Sequence, residues 1–375
     1  MRIAVLVTSS FTTEVVKYEY FPIASPNRPW LKWTPSKIQF PFQEKTWVKP
    51  KQCVTSDGAV VSYLKYATEG ASWVFVEPIF PRELNANSAK KFDIIFCPMV
   101  DILEYATIAP RHEQLRFNRL VQELPNLYPS YNVQKLINDK GLYYDYFTRR
   151  NIPMIDTLVI RKKDVKDPSG LRQWIEKIRR RARQKKWTRI VVKPTSGQEG
   201  LRFSALPEFV DDDRLANAIE DILESYDGVM VQEYIPGFDK RTVEHRLYTI
   251  QQKYAYMILT QNDREHPQWI REEGGQFDSE YAARAKKLAA KVCKLMPKSR
   301  IHGIELDNLL QRSDIGYRTD KSKVGTLFLS EQEFVPSLYA RECPPSVFPE
   351  KLVGDGILHI ARQYMQKRLA RDGVK

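Results

Sequence analysis

A mixed α/β and α+β fold is predicted by two features of the sequence. Short β-branched runs alternate with amphipathic helical stretches along most of the 375 residues, with no internal repeat and no low-complexity tail. A hydrophobic fraction of 42% and a charged fraction of 28% supply enough apolar material for a large core divided among two or three lobes. No apolar run approaches the roughly 18–20 residues of a membrane helix, so no membrane partner is expected.

Ile3 to Val7 predicts a first strand, too short for a signal-peptide core. Thr8, Ser9 and Ser10 follow its carboxyl end, where open α/β sheets bind ligands and where helices are also capped. Proline density from Phe21 to Pro50, with Trp30, Trp33 and Trp47, argues against regular helix there. Ala59 to Tyr66, Ser72 to Val76 and Phe92 to Phe96 predict strands. Apolar spacing predicts a helix over Arg111 to Leu124. Another amphipathic helix occupies the second half of Tyr128 to Phe147, with Asp139 and Lys140 near its start. Thr157 to Ile160 predicts a strand, Leu171 to Lys186 a basic helix and Asp211 to Tyr226 an acidic one. Glu280 to Leu295 and Gly354 to Leu369 predict the last helices.

The net charge of +13 favours anionic partners, such as a nucleotide and a phosphorylated or carboxylated substrate. The densest basic run, Lys177 to Lys186, has the pattern of a solvated helix face. It lacks the interleaved aromatics of a nucleic-acid surface, so nucleic acid is not expected. Four scattered cysteines, Cys53, Cys97, Cys293 and Cys343, lack metal spacing and point to a reduced, cytoplasmic setting.

Arg189 to Phe203 carries the sharpest chemical signal. Ile190, Val191 and Val192 form a buried-strand pattern ending at Lys193, and Pro194 stops further ladder pairing. The loop Thr195 to Gly200 offers hydroxyls and two glycines, Gly197 and Gly200, flanking Gln198. Such a loop lets backbone N–H groups approach polyphosphate oxygens while the lysine adds a fixed charge; a surface hairpin has the same pattern. Val229 to Phe238 is a strand whose end, Gln232-Glu233-Tyr234-Ile235, can offer backbone groups to an adenine edge. Glu244 and Arg246 are two apart, on one strand face. One suits ribose or metal, the other an anionic reacting group. Glu305 and Asp307 repeat that spacing, and Glu342 ends a further strand. Oxygen ligands from separate strands are what a phosphate-bridging Mg²⁺ needs, although each acid alone also suits a surface salt bridge.

This order of motifs, over roughly residues 130 to 365, resembles the ATP-grasp superfamily, including its glutathione synthetase and RimK-like ligases and its inositol polyphosphate kinase-like members. The resemblance implies an N-terminal α/β domain (1–155, substrate-binding), an ATP-grasp lid lobe (156–240) and a C-terminal metal-binding lobe (241–375), with ATP and Mg²⁺ between the lobes. By match, Lys140 and Lys193 would contact nucleotide, and Ser196 to Gly200 would cover the phosphates. Gln232, Glu233, Tyr234 and Ile235 would form the adenine hinge, and Arg246 would steady the transferred phosphate. Glu305 and Glu342 would hold Mg²⁺, with Asp307 as a substitute. The sequence departs from the family's E-x-N pattern at Glu342-Cys343-Pro344, since proline cannot ligate, and a long insert, Gln311 to Val324, separates the assumed metal strands. Either another group, such as Glu331 or Glu333, completes the site, or catalysis is weakened or lost.

The implied function is an Mg-ATP-dependent ligase that activates a carboxylate as an acyl phosphate for attack by an amine or thiol. Two alternatives stand beside it: an inositol polyphosphate kinase-like phosphotransferase, and a catalytically reduced nucleotide-binding protein. Cys97-Pro98-Met99 replaces the His-Lys of those kinases. The acceptor, an anionic small molecule or peptide, and the role of residues 11–90 are not fixed by these motifs.

Overall fold

A computed structural model describes residues 1–7, 20–44, 47–98, 119–165, 167–196, 204–207, 210–235, 243–261, 268–270, 279–318, 325–334, 336, 338, 340, 343 and 346–373. Three sheets organise it, and each sorts its side chains by strand alternation.

The first sheet is parallel. Its strands β1 (Arg2–Leu6), β5 (Phe75–Ile79), β6 (Ile94–Phe96) and β7 (Leu127–Tyr128) lie in the order β5-β1-β6-β7. Ile3 to Leu6 are fully buried, as expected for a parallel strand covered on both faces. A small antiparallel sheet of β2 (Tyr20–Pro22), β3 (Phe40–Phe42) and β4 (Lys51–Thr55) sits within the proline-rich stretch. Trp30 and Trp33 lie in a short 3-10 turn, Pro29–Trp33. The expected strand at Ala59 to Tyr66 is instead helix α1, Ser56–Ala67. Residues Ser56 to Leu64 are all buried there, so the helix shows no polar face for a 3.6-residue pattern to reveal. Helix α2 (Ala86–Ala89) is a single capped turn. Residues 119–123 are helical, and the remainder of the helix expected over Arg111 to Leu124 lies outside the described residues.

Helices α3 (Tyr131–Asn138) and α4 (Lys140–Thr148) lead into the second sheet. This antiparallel sheet comprises β8 (Thr157–Arg161), β9 (Arg189–Pro194), β10 (Ser204–Pro207) and β11 (Gly228–Glu233), ordered β10-β9-β11-β8. Ile160, Ile190, Val192, Val229 and Val231 pack against Ile175 and Ile178 of α5 (Pro168–Lys185) and Ile219 and Ile222 of α6 (Asp212–Ser225). Alternation therefore turns Lys193, whose register partner is Met230, to the other face.

The third sheet is antiparallel and central to the site. Its strands are β12 (Val243–Ile250), β13 (Lys253–Gln261), β14 (Gln268–Ile270), β17 (Leu310–Tyr317) and β18 (Leu327–Glu333), ordered β14-β13-β12-β17-β18. Leu247, Met257, Leu259 and Ile315 pack on Ala285, Ala289 and Val292 of α7 (Ser279–Leu295). The opposite face places Tyr248, Tyr256 and Ile258 in one core with α1, the first sheet and the terminal helix α8 (Pro349–Arg371). The stretch expected to be an insert, Gln311 onward, is thus an interior strand in which Leu310 to Gly316 are all buried. Strands β15 (Ser299–Ile301) and β16 (Ile304–Leu306) form a separate two-stranded sheet.

Candidate active site

The register of the third sheet gathers its charged residues on one face. Arg246 of β12 is paired with Asp314 of β17, and Tyr248 with Arg312. Across the next ladder, Asp314 is opposite Glu331 and Arg312 opposite Glu333, both on β18. Glu244, two residues before Arg246, shares this face. The β17–β18 ladder shifts register between Asp314 and Ile315, a bulge of the kind that re-aims side chains beside functional sites.

Asp314, Glu331 and Glu333 each offer a carboxylate oxygen, and these oxygens lie within 4.8 Å of one another. Arg312 is buried and balances part of this charge. Its Nε and Nη2 each donate to Asp314 at 2.8 Å, and Nη2 also donates to Glu333 Oε1 at 2.6 Å. Arg246 Nε donates to Glu244 Oε2 at 3.3 Å and lies 3.8 Å from Asp314 Oδ2.

Two lysines face the carboxylates from other elements. Asp139 caps α4 by accepting from the Leu142 N–H at 3.0 Å, and it holds Arg161 of β8. Gly141 keeps the helix start close to β8, since a Cβ there would stand 2.8 Å from both Val159 and Arg161. Lys140 is thereby fixed, with its backbone N–H on the Thr195 carbonyl at 2.6 Å and its Nζ 2.7 Å from Glu331 Oε1. Lys193, one residue before the end of β9, lies nearby, within the field of Lys140, Glu331 and Glu244.

The titration behaviour follows from these neighbours. Burial, with the charge of Lys140, pulls the Lys193 amine down to about 8 despite Glu331 and Glu244. Burial, with Glu331 and Asp314, pushes the Glu333 carboxyl up to about 7 against the pull of Arg312. Burial and Asp314 likewise raise Glu244, partly offset by Arg246. Burial opposes ionisation of Glu331 too, but Lys140, Arg312 and Lys193 prevail and hold it near 2. Tyr143, buried beside the same acids, is pushed well above its ordinary range.

The structure brings Lys140, Lys193, Glu244 and Arg246 together with Glu331 and Glu333. Gln232 and Glu233 finish β11, which pairs with β9, and Tyr234 and Ile235 follow directly. Ser196 lies just beyond β9, whereas Gly197, Gln198, Gly200 and Glu342 lie outside the described residues. Glu305 and Asp307 are not brought to the carboxylate cluster. They lie on and just after β16, where Lys298 is 2.8 Å from Asp307 and Arg300 is 3.8 Å from Glu305. Sequence reasoning missed Arg312, Asp314 and Tyr143. An available signal was Arg312-Ser313-Asp314 followed by Glu331-Gln332-Glu333, two sets of alternating charges on adjacent strands.

All-oxygen carboxylate donors suit a hard divalent cation, and the three acids stand close enough for one ion to meet all of them. With lysines beside them, the acids have the chemistry that a metal and a polyanion together would require.

The chain has the ATP-grasp fold. Solved structures similar to it include a D-alanine–D-alanine ligase from Bacillus anthracis complexed with ATP, 15% identical, with a TM-score of 0.55 over 98% of this chain and 99% of that one. Two others are D-cycloserine synthetase DcsG (18% identical, TM-score 0.54, 79% and 92% of the chains) and D-alanyl-alanine synthetase A from Vibrio cholerae (14%, 0.53, 97% and 98%). No protein-family model and no curated protein matches the sequence.

Proposed function

We propose that the protein is an Mg-ATP-dependent ligase that activates a carboxylate substrate through an acyl phosphate. The convergence of Lys140, Lys193 and Arg246 on Asp314, Glu331 and Glu333 carries this reading. Asp314, Glu331 and Glu333 would hold Mg²⁺, and Mg-ATP, when bound, supplies the phosphoryl group that converts a carboxylate into an acylating agent. The end of β11, Gln232 to Ile235, leaves an interior strand with the Glu233 and Tyr234 N–H groups bonded to the Asp156 and Arg189 carbonyls, and its remaining backbone groups would meet an adenine ring. Lys140 and Lys193 meet phosphate charge from two directions, at a depth where water screens little. Arg246 is held by Glu244 and Asp314, so its guanidinium is positioned before an anion arrives. Arg312 and Asp314 lock each other and keep the carboxylate geometry fixed. Such positioning and charge neutralisation are the main protein contributions to phosphoryl transfer.

The similarity to enzymes that join amino acids supports a carboxylate substrate with an amine acceptor, in the size range of an amino acid or a short peptide. The test is thermal unfolding with ATP, with and without Mg²⁺, on the wild type and Lys193→Ala. A ligand that binds only the native state raises the melting temperature by mass action. An Mg²⁺-dependent rise that the variant lacks is expected. ADP release stimulated by amino acids or peptides would then support the ligase, and stimulation by inositol phosphates alone would refute it. No rise with millimolar ATP would refute the nucleotide site.

A further inference from the structure

The strand end assigned to the adenine and the hairpin that carries the carboxylates are joined by a buried ion pair. Arg318 follows β17, where its N–H donates to the Thr326 carbonyl at 3.0 Å and its carbonyl accepts from the Gly325 N–H at 2.9 Å. It therefore sits on the turn between β17 and β18, four residues from Asp314. Its Nη1 and Nη2 donate to Glu233 Oε2 at 2.9 Å and Oε1 at 2.6 Å, a two-pronged match of guanidinium to carboxylate. The side chains of both residues are less than a tenth exposed.

This contact lies in a buried junction between the second and third sheets. Ile155 before β8, Ile235 after β11 and Phe328 on β18 pack as a small apolar cluster. The Leu329 N–H donates to the Pro153 carbonyl at 2.8 Å, and Met154 forms a bridge with Leu329. Glu233 is also held from its own sheet. Its N–H donates to the Asp156 carbonyl at 2.9 Å, and the Asp156 carboxylate accepts from Arg181 of α5 and from Trp187 Nε1. The strand end is thus fixed on both sides, and Arg318 is the side chain that references it to the carboxylate hairpin.

We propose that Arg318 is a positioning residue for nucleotide recognition: by clamping Glu233 it sets where the β11 end stands relative to Asp314, Glu331 and Glu333, and so matches the spacing between base and phosphates. The proposal rests on the Mg-ATP reading above. It separates two parts of the ligand, because a displaced β11 end loses the base and leaves the phosphates on Lys140, Lys193 and the metal.

The test is calorimetric titration of the full chain with Mg-ATP and with Mg-tripolyphosphate, on the wild type, Arg318→Met and Glu233→Gln. The second variant keeps the size and polarity of Glu233 and removes only its charge, which guards against loss of folding. Either variant is expected to weaken Mg-ATP about tenfold, the scale of one or two hydrogen bonds, and to leave Mg-tripolyphosphate within about twofold. The exchanged pair Glu233→Arg/Arg318→Glu is expected to recover part of the ATP affinity. Equal loss for both ligands, or an unchanged ATP affinity in variants that fold, would overturn the positioning role. Failure of the wild type to bind Mg-ATP would instead overturn the nucleotide reading itself.

Discussion

Arg312→Met tests the charge balance of the site without requiring a substrate. The side chain of Arg312 is 5% exposed and that of Asp314 is 1% exposed, so the pair has almost no water to fall back on. Methionine fills similar volume and leaves the Asp314 carboxylate, and part of Glu333, without a cation. Breaking a buried pair by removing one partner costs about 3–5 kcal/mol, and the partly exposed Glu333 places this case near the lower end, at about 3 kcal/mol. The loss is a large share of the stability of an ordinary domain. Urea unfolding at pH 7 should show a midpoint lowered accordingly, with the slope unchanged. Arg312→Lys, which keeps the charge and loses the two-pronged geometry, should fall between the two. Mg²⁺ should stabilise Arg312→Met more than the wild type, because the acids then have no competing guanidinium. The pH dependence has a defined sign. Glu333 is raised from 4.5 to about 7, so the folded state binds its proton more tightly. Its contribution is fully present below the unfolded value and is lost as pH rises through about 7. Removing Arg312 raises that carboxyl further and extends the loss to higher pH. A wild-type midpoint in Arg312→Met would refute the view that this guanidinium neutralises the acids.

Other outcomes follow from the same geometry. Asp314→Asn should abolish the Mg²⁺-dependent part of ATP binding while Glu305→Gln and Asp307→Asn leave it intact, measured by titration; the reverse pattern would return the metal to β16. Lys193 is lowered from 10.5 to about 8, so the unfolded chain binds the extra proton and stability of the ligand-free protein should rise between those values. Lys193→Met should remove that rise and be more stable than the wild type at pH 7, checked by urea unfolding across pH. Gly354→Ala should destabilise by about 1–3 kcal/mol despite its better helix propensity, because the new Cβ would stand 2.4 Å from the Tyr63 ring where α8 crosses α1. Thermal unfolding reads this directly.

The parts of the fold that were legible in the sequence are those with a face exposed to water. Helices α5 and α6 alternate buried and charged residues, and their amphipathic spacing placed α6 within one residue at each end and α5 within three. Helix α1 was hidden because nine consecutive residues, Ser56 to Leu64, are buried, and β-branched Val60 and Val61 then favour a strand reading. Lys193 was singled out by local context, a strand stop and a small-residue loop, whereas Lys140 was singled out only by the resemblance of its motif; its capping aspartate and close-packed glycine emerge from the structure.

The metal-ligand candidates show why the rest was not. Glu305 and Asp307 have the right residue types and spacing, yet they lie on a hairpin where Lys298 and Arg300 pair with them at partly exposed positions. Such pairs contribute little and constrain nothing. Asp314 sits in Gln311-Arg312-Ser313-Asp314, a polar stretch that looks like a surface insert. Its burial is possible because Arg312 bonds it within the strand and Arg246, from β12, lies 3.8 Å away, against the repulsion of Glu331 and Glu333 on β18. Burial of a charge is decided by partners brought from elsewhere in the chain. The register between β17 and β18, set by the bulge beside Asp314, supplies that information. Restoring E-x-N by Glu333→Asn would therefore remove a partner that Arg312 needs, and the variant should gain stability only where Arg312 is replaced as well. A double-mutant cycle on Arg312→Met and Glu333→Asn, read by urea unfolding, checks this. A coupling near zero would mean that the two side chains act independently and that the acid at position 333 balances no guanidinium.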